Sequence, residues 1–307
     1  MDKGITIVIP VKDRSALIGR CLDSISAQTL KPEEVIVVDN ASSDPTVSVV
    51  EQWRRKHPDV RISILSEPKP GASAARNRGL SEVKTEFVIF FDSDDSMEPD
   101  LLESASAAAG EGVDIVQWKA ETVGLDGVTR RKTFYDDGLL RRQFYNCVLS
   151  TQTYMVRTSL VREAGGWEEN AMVWNDWELG IRLALANPRR RVIDRTLVKI
   201  FAQENSITGT AFSLRAGDWE NTLDIVEKKI RNSQLSIRDR RRLLHMVIYR
   251  RVILAARYSK EGDVTGARNL LAASLKHPLL RKNDRLLLKL IYRYTSLGGR
   301  GAYYLWK

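Results

Sequence analysis

Short apolar runs punctuate the first hundred residues. ITIVIPV (5–11), EVIVVD (34–39), VRISIL (60–65) and FVIFFD (87–92) are β-branched and aromatic with little polar interruption, the pattern of parallel strands covered on both faces. Between them the period changes. In SALIGRCLDSISAQ (15–28), Leu17, Cys21 and Ile25 share a helical face, with Ile18 and Leu22 one step round. DPTVSVVEQWRRKHP (44–58) opens with Asp44 as a cap and Pro45 at the first helical position, and PKPGASAARNRGL (68–80) opens a third helix at Gly71. This alternation predicts right-handed crossovers and an α/β fold: a doubly wound, mostly parallel sheet flanked by helices. After residue 110 the pattern is mixed. VDIVQWKAETV and GVTRRKTFY predict a hairpin across LDG, followed by helices near 139–148 and 175–187 and a strand at 191–202. From Phe212 onward only helical spacing remains. GDVTGARNLLAASLKHP resembles the second helix of a tetratricopeptide unit, but a single copy predicts an all-helical appendage rather than an array. The expected organisation is a domain over 1–211, with halves at 1–110 and 111–211, and a helical region over 212–307.

Charge sharpens that division. Residues 1–211 hold 27 Lys+Arg against 31 Asp+Glu, a net −4, whereas residues 212–307 hold 21 against 8, a net +13. The acidic part argues against nucleic acid as a partner, and the basic part suits an anionic surface, with peripheral contact to an anionic membrane as one expectation and a solvated basic face as the other. No stretch approaches the ~18 apolar residues of a membrane span, and MDKGITIVIPVKDR lacks the features of a cleaved leader, so a cytoplasmic protein is expected. Cys21 and Cys147 sit among apolar neighbours without metal-ligand spacing and read as buried, reduced thiols.

In a doubly wound sheet ligands bind beyond the carboxyl ends of the strands. Here those ends read VKDR (11–14), DNASSD (39–44) and DSDD (92–95), all acidic or polar. Asp92, Asp94 and Asp95 fall within four positions. One reading is a turn with Asp95 or Ser96 capping a helix before Pro99; the other is a divalent cation held by few oxygen ligands, Mg²⁺ or Mn²⁺, shared with a diphosphate. Arg76 and Arg78, near the start of the third helix, suit anionic oxygens. Neither G-x-G-x-x-G after the first strand nor G-x-x-x-x-G-K-[ST] is present, which argues against a dinucleotide oxidoreductase and a P-loop NTPase.

ITIVIPVKDR, CLDSISAQT, VIVVDNASSDPT, PGASAARNRGL and FVIFFDSDD stand in the order and spacing of family 2 glycosyltransferases, and the chain resembles that family from about residue 4 to about residue 207. The resemblance implies a GT-A fold and a metal-dependent, inverting sugar transfer from a nucleoside-diphosphate donor, a UDP- or GDP-sugar, to a saccharide or lipid-linked saccharide in bacterial surface polysaccharide or glycolipid assembly. It places Pro10, Val11 and Asp13 beside the base, Asp39 on it and Asn40 near it. Arg76 falls near the nucleotide, Asp92 with Ser93 toward the ribose, and Asp94 on the metal. GGWEENAMVWNDWELGIRLAL (165–185) resembles the acceptor-side helix, with Asp176 at the family's base, Glu178 as the nearby competitor, and Trp174 and Trp177 as a sugar platform; helix capping and plain core packing are the alternatives. In FAQENSITG, Gln203 occupies the position of a metal-proximal His. Asn40 and Asn175 depart from the acids usual there. Two rival functions remain at this stage: a non-catalytic sugar- or nucleotide-binding module, and a nucleotidyltransferase.

Overall fold

The computed structural model describes residues 4–132, 138–203, 211–302 and 306. Contacts divide the chain into two units: Met1–Gln143, Cys147–Glu169 and Asn175–Glu204 form one, and Phe144–Asn146, Asn170–Trp174 and Asn205–Lys307 form the other. Two short stretches from the expected N-terminal domain thus group with the C-terminal unit.

The first unit opens with β1 (Ile5–Val11), α1 (Ile18–Ser26), β2 (Glu34–Asp39), α2 (Thr46–Lys56), β3 (Ile62–Ser66), α3 (Ala72–Glu82) and β4 (Phe87–Phe90). These strands pair in parallel in the order β3-β2-β1-β4, with Val11 opposite Asp39 and Val8 opposite Phe90. Successive side chains of a strand face opposite sides. Ile5, Ile7, Ile9 and Val11 therefore enter one core with Ile18, Cys21, Leu22 and Ile25 of α1 and Val50 of α2. Val8, Ile36 and Val38 enter the other with Ala75 and Leu80 of α3. Gly79 makes that second packing possible, because a Cβ there would stand 2.4 Å from Val8 Cγ1. β1 lies between β2 and β4, so the crossovers diverge on its two sides and open a crevice at the carboxyl ends of β1 and β4.

β5 (Ser96–Met97), α4 (Leu101–Ala108), β6 (Ile115–Val123), β7 (Thr129–Lys132), α5 (Leu139–Asn146), β8 (Tyr154–Arg157), α6 (Thr158–Glu163), α7 (Asn175–Leu185) and β9 (Arg190–Phe201) follow. Here the sheet becomes mixed: β8 is antiparallel to β4 and β6, β9 runs parallel to β6, and β5 is antiparallel to β9. The hairpin across Leu125–Gly127 is formed. The cap expected at Asp95 or Ser96 is not. Ser96 and Met97 pair with Lys199 and Val198, and the next helix starts only after Asp100. That pairing joins residues a hundred positions apart, beyond the reach of local pattern.

The second unit contains α8 (Ala216–Arg231), α9 (Ile237–Lys260), α10 (Val264–Leu275) and α11 (Lys282–Ser296), as the helical spacing predicts. Ser236 caps α9 by accepting from the Asp239 N–H, and Asp263 caps α10 by accepting from the Gly266 N–H. Ile248, Tyr249 and Val252 of α9 pack with Leu288 and Ile291 of α11. No helix among the described residues is long and apolar enough to cross a membrane.

Candidate active site

The acids beyond β4 are held by three elements. Asp92 Oδ1 accepts from Arg76 Nη2 of α3 at 2.7 Å, and Asp92 Oδ2 accepts from Gln152 Nε2 at 2.6 Å. The same amide nitrogen donates to Asp95 Oδ2 at 2.7 Å, and the Phe201 N–H of β9 donates to Asp95 Oδ1 at 3.0 Å. Asp95 is 1% exposed. Burial, then the charges of Asp92 and Asp94, push its carboxyl well above the usual range. Gln152 lies on a short turn before β8 and belongs to no motif in the sequence. The buried polar run Ser150–Thr153 ahead of an apolar strand is its only local signal.

Asp94 is less committed. Its nearest cationic atom is Arg14 Nε, at 3.8 Å from Oδ2, while Arg20 donates to its backbone oxygen and stacks on the Phe201 ring at 3.6 Å. Burial, and next the charge of Asp92, raise its pKa. Two carboxylates with raised proton affinity mark a place where negative charge is incompletely met. No group of three or more His, Cys, Asp or Glu side chains is arranged to hold a metal among the described residues. The donor set fits a hard divalent ion that takes one or two protein oxygens and completes its shell with water and phosphate oxygens. Cationic capacity is unused as well: Arg76 is 4% exposed, lies over the Trp167 ring at 4.4 Å, and its Nε and Nη1 are buried without a hydrogen-bond partner. Cys21 donates its thiol to the Asp92 carbonyl at 3.7 Å, and burial pushes its pKa well up, which makes it an inert thiol, as expected.

Beyond β1 and β2, Asp13 adopts a left-handed conformation (φ 51°) and accepts from Ser43 N and Oγ at 2.7 and 3.0 Å, bonds that hold its pKa low. Ser42 N approaches the Asp39 carboxylate at 3.3 Å. Arg14 joins the two groups, donating from Nη1 to the Asp13 carbonyl while facing Asp94. Pro10 and Val11 are buried in β1, and Ser93 is buried in the turn. Asp44 accepts from Ser15 N and Thr46 N, which holds its carboxyl far below the usual range, but α2 starts one residue later than expected, with Pro45 and not Asp44 in the cap position.

Three expectations need correction. Asn40 spends its whole amide on the chain: Nδ2 donates to the carbonyls of Glu67 and Lys69 at 2.8 and 2.7 Å, and Oδ1 accepts from Gly71 N at 2.8 Å. It anchors the loop leading to α3, and both of its side-chain N–H groups are spent there. Glu178 is 1% exposed and paired with Arg182, which also donates to the carbonyls of Ala164 and Gly166, so Glu178 faces the interior. The sugar platform is also not formed as expected. Trp177 is fully buried, and Trp174 packs in the C-terminal unit against Trp219 at 4.7 Å with Arg250 over its ring. Asp176, in contrast, is half-buried in the first turn of α7, where Oδ1 accepts from Trp177 N at 2.7 Å. Gln143 donates to the Asp176 and Trp177 carbonyls, and Gly180 is required beneath it, because a Cβ there would lie 2.1 Å from Gln143 Nε2. A further residue enters here unforeseen. The Tyr154 hydroxyl is buried without a partner, and its pKa is raised by burial and then by Asp176, while Arg76 lowers it. Gln203 lies two residues beyond β9, half-buried, with Nε2 toward the Phe201 carbonyl; the Ser-Ile pair used to place it lies outside the described residues.

Comparison with known proteins fits this arrangement. S. aureus TarS 1-349 in complex with UDP-GlcNAc superposes with a TM-score of 0.72 at 20% identity, covering 96% of this chain and 87% of that one. The mannosyltransferase PcManGT of Pyrobaculum calidifontis, in complex with GDP-Man and Mn²⁺, gives 0.60 at 22% identity over 95% and 83%. At such identities the likeness is one of fold. Curated relatives match over part of their own length, from 15% to 58%. One of them, the GalNAc(5)-diNAcBac-PP-undecaprenol beta-1,3-glucosyltransferase of Campylobacter jejuni, is 32% identical over 108 residues, 35% of this chain and 35% of that protein. A sequence profile described as glycosyl transferase family 2 matches residues 6–163, just over half of the chain, with β1 to β4 and the acids beyond them inside the match. The chain belongs to glycosyl transferase family 2.

Proposed function

We propose that this protein transfers a sugar from a nucleoside-diphosphate donor to a hydroxyl acceptor, by a single inverting displacement that depends on a divalent metal. The observation that carries the reading is Asp94: a carboxylate of raised pKa, weakly paired, beside an Asp92 already fixed by Arg76 and Gln152. Asp92 and Ser93 would meet the ribose, and Asp13, Asp39 and the β1 end (Pro10, Val11) the base. Arg76 would offer its two unpartnered nitrogens, Nε and Nη1, to anionic oxygens of the donor. Mg²⁺ or Mn²⁺ held by Asp94, with Gln203 as a weaker oxygen ligand, would supply charge stabilisation for the departing diphosphate. Asp176 would accept the proton of the acceptor hydroxyl as it attacks the anomeric carbon. UDP-GlcNAc and GDP-Man in the neighbouring structures support a UDP- or GDP-sugar, and the undecaprenol-linked substrate in a relative's name supports a saccharide or lipid-linked acceptor.

The test is multiple-turnover release of nucleoside diphosphate with donor, acceptor and Mn²⁺. Release of pyrophosphate from a nucleoside triphosphate would indicate a nucleotidyltransferase instead. Metal-dependent donor binding without turnover, across a panel of acceptors, would leave only a binding module.

A further inference from the structure

α11 is apolar on two sides. Leu288 and Ile291 are fully buried in the helical unit's core, whereas Leu286, Leu290, Tyr294 and Leu297 are 61%, 55%, 48% and 88% exposed. Their spacing of four, four and three residues makes one continuous stripe on the outer face. Four of the twelve large apolar side chains exposed among the described residues stand on this one stripe, so it is a patch and not the usual scatter. Beside it, at the same helical spacing, run Lys282, Arg285, Lys289 and Arg293, all exposed. None of the four forms an ion pair or side-chain hydrogen bond among the described residues. The only acid of the helix, Asp284, is spent at its start, accepting from the Arg281 N–H.

We propose that this outer face of α11 docks on an anionic bilayer surface, with Leu286, Leu290, Tyr294 and Leu297 entering the headgroup boundary and the adjacent cations meeting lipid phosphates. Long basic side chains can lie along the apolar surface and carry their charged ends to the headgroups, so one helix face serves both contacts. Unpaired cations along the length of the stripe, with the helix's one acid, Asp284, turned to the Arg281 N–H at its start, are the complement of a plane of negative charge. A second copy of the chain fits less well, because a two-fold pairing through this face would bring two rows of like charge together. The inference stands apart from sugar transfer, since binding is measured with neither donor nor acceptor.

The experiment is co-sedimentation of the whole chain with vesicles of phosphatidylcholine alone and of phosphatidylcholine mixed with phosphatidylglycerol. Binding to the mixed vesicles and release by salt are expected. Lys289→Gln and Arg293→Gln should each weaken it about fivefold. Leu286→Ser with Leu290→Ser should weaken it by about tenfold or more with the melting temperature preserved, because both side chains are already in water. Leu214→Ser, an equally exposed leucine elsewhere, should change nothing. Equal binding to neutral vesicles, no binding at all, or full binding by the double leucine variant would overturn the proposal. So would concentration-dependent dimerisation in light scattering that Leu290→Ser abolishes, which would assign the face to a second copy.

Discussion

The turn beyond β4 and the outer face of α11 both crowd charges of one sign, and they treat them in opposite ways. At the turn, Asp92 and Asp95 are held by Arg76, Gln152 and the Phe201 N–H while Asp94 has only Arg14 as an ion-pair partner among the described residues, and burial raises the proton affinity of Asp94 and Asp95. On α11, four cations are spread at helical spacing and left in water beside leucines. Charge density alone therefore says little. Partial burial makes unmet charge costly and shapes it for a small counter-ion, whereas full exposure beside apolar side chains suits an extended surface.

Carrying the comparison into α7 gives the largest expected effect. Asp176 is half-buried and forms no ion pair among the described residues, while Glu178 is buried and matched by Arg182. Asp176→Asn should lower turnover by about 10²-fold or more with donor affinity nearly unchanged. Glu178→Gln should act on stability instead, by about 3 kcal/mol, since it breaks an ion pair whose acid is buried and leaves the half-buried Arg182 without its charge partner. A large kinetic defect in folded Glu178→Gln with none in Asp176→Asn would reverse the assignment. Next comes Asp94→Asn, expected to weaken Mn²⁺-dependent nucleoside-diphosphate binding by roughly 10- to 100-fold in calorimetry. Equal metal dependence in that variant would place the ion elsewhere.

Protonation offers a third test. Asp94 and Asp95 hold protons more tightly folded than unfolded, so their contribution to stability is fully present below the ordinary carboxylate value near 3.8 and is lost as pH rises through the raised values. The difference in melting temperature between wild type and Asp95→Asn should therefore change across that window, favouring the variant as pH rises. Metal-dependent nucleotide binding should run the other way, failing on acidification at a pH above that of an ordinary carboxylate. Asn40→Asp should cost about 1–3 kcal/mol in denaturant unfolding at neutral pH, because a carboxylate would face the carbonyls of Glu67 and Lys69 without a proton to donate. Lys289→Gln, from the exposed row, should stay within about 0.5 kcal/mol of wild type in the same assay.

The strands β1 to β4, the helices between them and the acids at their ends were legible because each follows from local period and turn chemistry. The hairpin across Leu125–Gly127 belongs to the same class. Gln152 was not legible, since what distinguishes it is an amide shared between two acids some sixty positions away. Nor was the use of Asn40, which depends on carbonyls that the 67–71 loop delivers. Glu178 could have been assigned correctly: Arg182 stands four residues on, in the arrangement that pairs acid and base along a helix. Apolar residues on both sides of α7 masked its phase.

Cys21 has a practical consequence. Its sulfur is wholly enclosed between α1 and the Asp92 carbonyl, and its thiolate is disfavoured by burial and by the three acids nearby. An alkylating reagent can reach it only in moments when the helix parts from the turn. The labelling rate at that one sulfur, in a Cys147→Ser background, therefore acts as a clock for the breathing of the crevice edge, and any ligand that ties Asp92 and Asp94 together should slow it.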